Sequence, residues 1–334
     1  MNEKKSGSYD SPLKATLKGI SDLFKKQKKD VHLSDSDRLE DLTIMVTGSS
    51  SGLGYATALD LAKRGARVIM AVRSGIPDKG EEIRRISGSD KVEMLHVDLS
   101  DIDSIKGLVM KLNEQKIKLN MLICNAAIVP RISRKTRQDL EEMFMVNYLA
   151  KFLLIRWLLD EDIFVTDGES LPRIIIVSSE SHRNPKAYDW DNFGKYKEYG
   201  MNRTVELYGY YKLLLTTFVN ELSRRLNPGS TKLSVFSLCP GPVNSNIARE
   251  APKLFHPLLK VVFGIFFNSP EKAAVPVIYL AAGEDLEGKP LDYFFMMERK
   301  EMDKKTADQA NGRKLWEKSE KLISDLGIKF RKIY

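Results

Sequence analysis

The chain has 334 residues, 43% hydrophobic and 29% charged, a balance that excludes a disordered or fibrous protein and allows one sizeable buried core. Its net charge of +8 and pI near 9.2 raise nucleic-acid binding, but no basic stripe interleaved with aromatics supports that partner. Cys124 and Cys239, each in or beside an apolar run, read as buried thiols of a reducing compartment, and the scattered histidines make no metal-ligand spacing.

Residues 1–40 form a polar, Lys-rich extension. Its first 30 residues carry eight lysines against Glu3, Asp10, Asp22 and Asp30, a net +4 that suits a solubilising tail or an anionic surface. "LKATLKGISDLFKK" (13–26) predicts a short amphipathic helix, and the extension lacks the apolar core of a signal peptide. Residues 41–334 read as one domain. "LTIMVTG" is a strand, "YATALDLAKRG" a helix, "ARVIMAVR" a strand, "KGEEIRRISG" a helix, "KVEMLHVDLS" a strand and "IDSIKGLVMKLNEQ" a helix. "LNMLICNAA" is a fourth strand, followed by a long helical region over 137–160 and a fifth strand, "RIIIVSS". "YGYYKLLLTTFVNELSRRL" is a helix and "KLSVFSLCPG" a sixth strand. Strands apolar along their whole length belong to parallel sheets covered on both faces, so the pattern predicts an α/β domain, doubly wound and Rossmann-like.

The first strand runs into "VTGSSSGLGYATALDL". Gly48, Gly52 and Gly54 fall between strand and helix, where backbone can approach a pyrophosphate held at the helix N-terminus. The second strand ends at Arg73 with no acid beside it, which favours the 2′-phosphate of NADP(H) over the free 2′-hydroxyl of NAD(H). Asp98, at the end of the third strand, either meets the adenine amino group or caps the next turn. In "ELYGYYKLLL" (206–215) only Tyr208 stands four residues before Lys212, on the same helical face. A phenol beside an ammonium is expected to titrate below its ordinary range. The same stretch also reads as an amphipathic helix burying Tyr and Leu.

Taken in order, "TGSSSGLG" (47–54), "VDLS" (97–100), "CNAA" (124–127), Asn147 in "FMVNYLA", "IVSS" (176–179), "YGYYK" (208–212) and "CPGPVNS" (239–245) resemble the short-chain dehydrogenase/reductase family. The resemblance covers roughly residues 41–325. It looks closest to the retinol-dehydrogenase-like and protochlorophyllide-reductase-like branch, on "AVRSGIPDKGEE", the long gap from Ser179 to Tyr208 and the ending "DQANGRKLWEKSEKLI". It implies hydride transfer between a nicotinamide and a carbonyl or alcohol, with a catalytic set of Asn147, Ser179, Tyr208 and Lys212. Tyr208 would exchange the proton, Lys212 would lower its pKa and bind the nicotinamide ribose, Ser179 would bond the carbonyl oxygen, and Asn147 would hold a water linking Lys212 to solvent. The implied cofactor contacts are Thr47, Gly48, Ser50, Ser51, Gly52, Leu53, Gly54, Arg73, Asp98, Leu99, Asn125, Ala126, Tyr208, Lys212, Pro240, Gly241 and Val243. Strand alternation allows only one of Ser178 and Ser179 to face the substrate, and the family places Ser179 there. His182 either lines the pocket or sits in a plain loop.

Two positions depart from the family pattern. Ala127 stands where glycine is usual, and Tyr211 precedes the lysine where serine is usual. They keep a second reading open, a catalytically silent regulatory or scaffold protein that binds a dinucleotide. A substrate lid is expected about 246–270. It carries the run "LFHPLLKVVFGIFF" (254–267), too short and too interrupted to span a membrane and suited to an apolar, retinoid-, steroid- or lipid-like substrate. The same residues alternatively pack a helix or dimer face. No metal is expected. The location expected is cytoplasmic, with peripheral membrane contact through the lid and the basic extension as an option. A homodimer would pair through the helices around 137–160 and 208–225.

Overall fold

The computed structural model describes residue 33 and residues 38–168, 170–243 and 268–331. The predicted helix at 13–26, and the lid apart from residues 268–270, lie outside the described residues. In chain order the first half comprises β1 (Thr43–Thr47), α1 (Gly52–Lys63), β2 (Arg67–Val72), α2 (Asp78–Ser87), β3 (Val92–His96), α3 (Ile102–Glu114) and β4 (Met121–Cys124). A short α4 (Glu142–Phe144), a π-turn (Met145–Leu149) and α5 (Ala150–Asp160) follow. Then come β5 (Arg173–Val177), a 3-10 turn (Glu180–Arg183), α6 (Met201–Leu226), β6 (Ser234–Cys239), α7 (Pro270–Ala282), β7 (Leu291–Phe295), β8 (Glu298–Arg299), α8 (Lys304–Ala307) and α9 (Gln309–Asp325).

The strands form one sheet in the order β3-β2-β1-β4-β5-β6-β7-β8, parallel except for the last pair. This is a doubly wound α/β domain. The strand order reverses between β1 and β4, and in such sheets the crevice at that reversal takes the ligand. Side chains alternate along each strand, which divides the apolar residues between two cores. Ile174 and Ile176 of β5 enter the layer shared with α3, α5 and α6, whereas Ile175 enters the layer shared with α1 and α7. All three are fully buried, at about 1.5–3 kcal/mol apiece from removal of apolar surface from water. At the start of β5 the buried Arg173 donates to the carbonyls of Leu280, Ala281 and Gly283, satisfying the C-terminal end of α7 and fixing that helix against the sheet. Among the described residues no helix is long and apolar enough to cross a membrane.

The structure differs from the sequence reading in three places. The sheet has eight strands, because "LDYFF" adds β7 beyond the sixth and Glu298–Arg299 turns back on it. The region over 137–160 is not one helix. Asp139 takes a left-handed φ of 57°, and the buried Glu141 carboxylate accepts from the backbone N–H groups of Met143 (3.0 Å) and Phe144 (2.7 Å), so the helix starts at 142. The helix carrying Tyr208 begins at Met201, one and more turns ahead of the expected start, directly after Gly200.

Candidate active site

A cavity of about 440 Å³ opens at the carboxyl ends of the central strands. One wall is the turn between β1 and α1. Ser51, which precedes α1, makes no side-chain cap, so the first N–H groups of the helix are left for an anion. A β-carbon on Gly54 would stand 2.4 Å from both the Gly48 carbonyl oxygen and Asn125 Nδ2; only glycine fits this closely packed turn. Asn125 pins the turn by donating to the carbonyls of Thr47 (3.0 Å) and Gly48 (3.1 Å). These features fit the phosphates of a dinucleotide.

The cavity brings together seventeen of the nineteen sequence-derived site positions. Its lining includes the turn residues Gly48, Ser50, Ser51, Gly52, Leu53 and Gly54, then Arg73, Asp98 and Leu99 at the ends of β2 and β3. Asn125 and Ala126 line it after β4, Ser179 after β5, Tyr208 and Lys212 on α6, and Pro240, Gly241 and Val243 after β6. Thr47 and Asn147 are not on this wall. Thr47 is buried behind the turn, where its Oγ1 accepts from the backbone N–H groups of Asn125 (3.1 Å) and Ala126 (3.3 Å).

Asn147 is anchored to the loop after β4. Its carboxamide commits both ends to the backbone of Ile128, with Oδ1 accepting from the N–H at 2.9 Å and Nδ2 donating to the carbonyl at 2.8 Å. The side chain therefore holds the loop after β4 in place. It is fully buried in the π-turn, a widening of the kind found at functional sites.

The three tyrosines of α6 separate as helical geometry requires. Tyr210 bonds the backbone of Asp189 at the surface. Tyr211 points into the core, with its ring centre 5.6 Å from that of Phe144 and its hydroxyl toward the Glu141 carboxylate, which also accepts from Tyr199 (2.8 Å). Its bulk is thus directed away from the cavity. Tyr208 faces the cavity beside Ser179, and Lys212 Nζ lies 5.6 Å from the centre of its ring. Ser178 turns its hydroxyl onto Thr216 Oγ1 (2.7 Å), the outcome that strand alternation requires.

The electrostatics reverse the expected sign at Tyr208. Burial pushes its phenol above the ordinary range, Cys239 adds to this, and the Ser179 hydroxyl pulls the other way. Lys212 does not offset the burial, because burial pushes the lysine itself down to about 8, and its ammonium is engaged by the Val177 carbonyl at 2.8 Å. His182 neither lines the cavity nor lies in an exposed loop. It is fully buried in the 3-10 turn, with Nδ1 2.6 Å from the Ser179 carbonyl oxygen and the ring edge-on to Tyr293. Burial pushes it down to about 4, so it is neutral near pH 7 and donates from Nδ1 to that carbonyl.

At the adenosine end, Arg73 Nη1 stands 3.8 Å from Asp98 Oδ2 at the cavity mouth. Asp98 also accepts from the Ser100 N–H (2.9 Å) and hydroxyl (2.6 Å), so it caps its turn while facing the cavity. The sequence reading missed the other half of the wall. Ile128, Val129, Pro130 and Val146 make an apolar surface there, with the Arg134–Glu142 ion pair at its rim. Their signal was position alone, Ile128, Val129 and Pro130 directly after "CNAA" and Val146 directly before Asn147. Ala127, the first departure from the family pattern, also lines the cavity.

The family model for short chain dehydrogenases matches residues 42–189. Retinol dehydrogenase 14 of Homo sapiens is 32% identical over 298 residues, covering 84% of this chain and 86% of that protein. Polyprenol dehydrogenase of Homo sapiens is 30% identical over 290 residues, covering 86% of this chain and 87% of that protein. Among solved structures, an uncharacterized protein from Mycobacterium Paratuberculosis is similar with a TM-score of 0.67 at 26% identity, over 89% of this chain and 98% of that one.

Proposed function

We propose, from the premise that this chain belongs to the short-chain dehydrogenase/reductase family and is an alcohol/carbonyl oxidoreductase using NAD(P), that it prefers NADP(H) and takes an apolar substrate. The observation that carries the reading is the meeting of Tyr208, Ser179 and Lys212 in one cavity floored by the glycine turn. The bound dinucleotide supplies or accepts the hydride. Ser179 Oγ donates a hydrogen bond to the substrate oxygen, where negative charge develops. Tyr208 gives its phenolic proton to that oxygen in reduction and removes it in oxidation. The buried phenol is protonated near pH 7, as an unshifted phenol also is, so its proton is in place for reduction. Lys212 places its Nζ 5.6 Å from the centre of that phenol ring, and His182 fixes the backbone that presents Ser179.

The cofactor preference rests on Arg73, whose guanidinium suits a 2′-phosphate at the end of β2. The substrate class rests on the apolar wall of Ile128, Val129, Pro130 and Val146, with support from relatives named for retinol and polyprenol. The test is a kinetic panel of retinal, long-chain aldehydes and small polar ketones, each run with NADPH and with NADH. The reading requires kcat/KM to favour NADPH and the long apolar carbonyls. A preference for NADH, or for small polar ketones, would defeat the corresponding half.

A further inference from the structure

Lys151 is the second residue of α5, four residues after Asn147, in the apolar run "AKFLLIRWLL". A lysine there reads as a side chain that snorkels to solvent. The structure buries it almost completely. Its ammonium donates to the Ala126 carbonyl at 2.6 Å and to the Val146 carbonyl. Val146 lies in the π-turn, where the Ala150 N–H reaches back five residues to the Met145 carbonyl and the helix is locally widened. Both Ala126 and Val146 line the cavity from opposite halves, Ala126 on the cofactor side and Val146 on the apolar wall. Asn147 fastens Ile128 from the same turn, so two side chains one turn apart hold the whole loop 125–128.

We propose that Lys151 is a positioning residue of this site: its ammonium ties the cofactor-side loop at Ala126 to the widened turn at Val146 and places a second cation behind Lys212. The proposal deepens the reading above and rests on its placing the dinucleotide against Ala126. The titratable groups that act on Lys151 are Lys212 from α6 and Cys124 from β4. Burial pushes the amine down to about 7, Lys212 pushes the same way, and Cys124 opposes. The tie therefore weakens as pH rises through about 7, because a neutral amine donates a weaker hydrogen bond than an ammonium.

The experiment compares wild type with Lys151→Met in protein carrying 13Cε-labelled lysine, with Lys212→Met to assign the second resonance. NADPH affinity is measured in parallel from pH 6 to pH 9. In Lys212→Met, loss of the like charge moves the Lys151 titration upward by about 0.5–1 pH unit. NADPH binds roughly tenfold more weakly to Lys151→Met than to wild type at pH 6, and the gap closes to within about twofold at pH 9. A Lys151 titration unmoved in Lys212→Met, or a gap in affinity between wild type and Lys151→Met that does not depend on pH, overturns the proposal. Should Lys151→Met fail to fold, wild-type NADPH affinity followed against the Lys151 titration decides: affinity that falls as Lys151 loses its proton near 7 upholds the proposal, and affinity flat through that titration, or a Lys151 titration in the ordinary lysine range, overturns it. Neither readout needs turnover, so an inactive wild type would sink the parent reading alone.

Discussion

Gly209 packs so closely on the 3-10 turn after β5 that a β-carbon on it would stand 3.0 Å from the Ser181 carbonyl oxygen. The contact sits between the residue that follows Tyr208 and the residue two after Ser179, so it sets the separation of the two hydroxyls. Gly209→Ala forces the helix and the turn apart by a few tenths of an ångström. The expected result is a folded protein that binds NADPH normally and loses roughly 10- to 100-fold in kcat, since small misplacements at a reacting centre are costly. Steady-state kinetics beside a thermal melt checks it; unchanged kcat would show that the contact does not set the alignment.

The proposed preference for NADP(H) rests on Arg73. Arg73→Glu places a carboxylate where the 2′-phosphate is assigned, and beside Asp98 it creates a like-charge pair. We expect kcat/KM with NADPH to fall by about 10²-fold and the preference to pass to NADH. Equal loss with both dinucleotides would instead mean that Arg73 supports the fold of the loop.

His182 gives the protein an acid-sensitive joint. Buried and neutral, it binds a proton in the folded state only near pH 4, whereas an unfolded histidine does so near 6.5. Between those values the unfolded chain holds more protons, so stability is complete above about 6.5 and falls as pH drops toward 4, by about 3 kcal/mol in full. His182→Asn keeps an N–H donor in that position and removes the titration. Urea midpoints from pH 7 to pH 4.5 are expected to fall more steeply for wild type than for the variant, and parallel curves would contradict the assignment.

Tyr211 serves packing. Tyr211→Phe removes a hydroxyl directed at the buried Glu141 and leaves the cavity wall untouched. Stability is expected to fall by about 1–3 kcal/mol, the usual cost of unpairing a buried polar group, with kcat/KM within about twofold of wild type. A large kinetic loss at unchanged stability would place this residue in the site after all.

Much of this was legible in the sequence, for reasons that lie in local geometry. Strands buried on both faces read as continuous apolar runs, so β1, β2, β4, β5 and β6 stood out. The spacing from Tyr208 to Lys212 picked one tyrosine of three; period two left one place for Ser178 or Ser179, and the family resemblance chose Ser179. What escaped depends on distant packing. The π-turn around Asn147 arises because the buried Glu141 starts a helix late and the loop after β4 docks against it. The sign at Tyr208 is a contest between charge and burial, and burial depends on how α6 packs over β5 and β6. Lys151 left no sequence signal, since only the folded chain shows that two carbonyls await its ammonium.

The central claim is that this cavity moves a hydride while Tyr208 manages the proton. Transfer of deuterium from NADPH labelled at nicotinamide C4 to a long-chain aldehyde, read by mass spectrometry of the product alcohol, tests it most directly. The account predicts one deuterium on the former carbonyl carbon, and a rate reduced about 10²- to 10⁴-fold in Tyr208→Phe with NADPH affinity retained. A wild type that binds NADPH yet labels no aldehyde in the panel, or a Tyr208→Phe protein that labels it at the wild-type rate, would contradict the account.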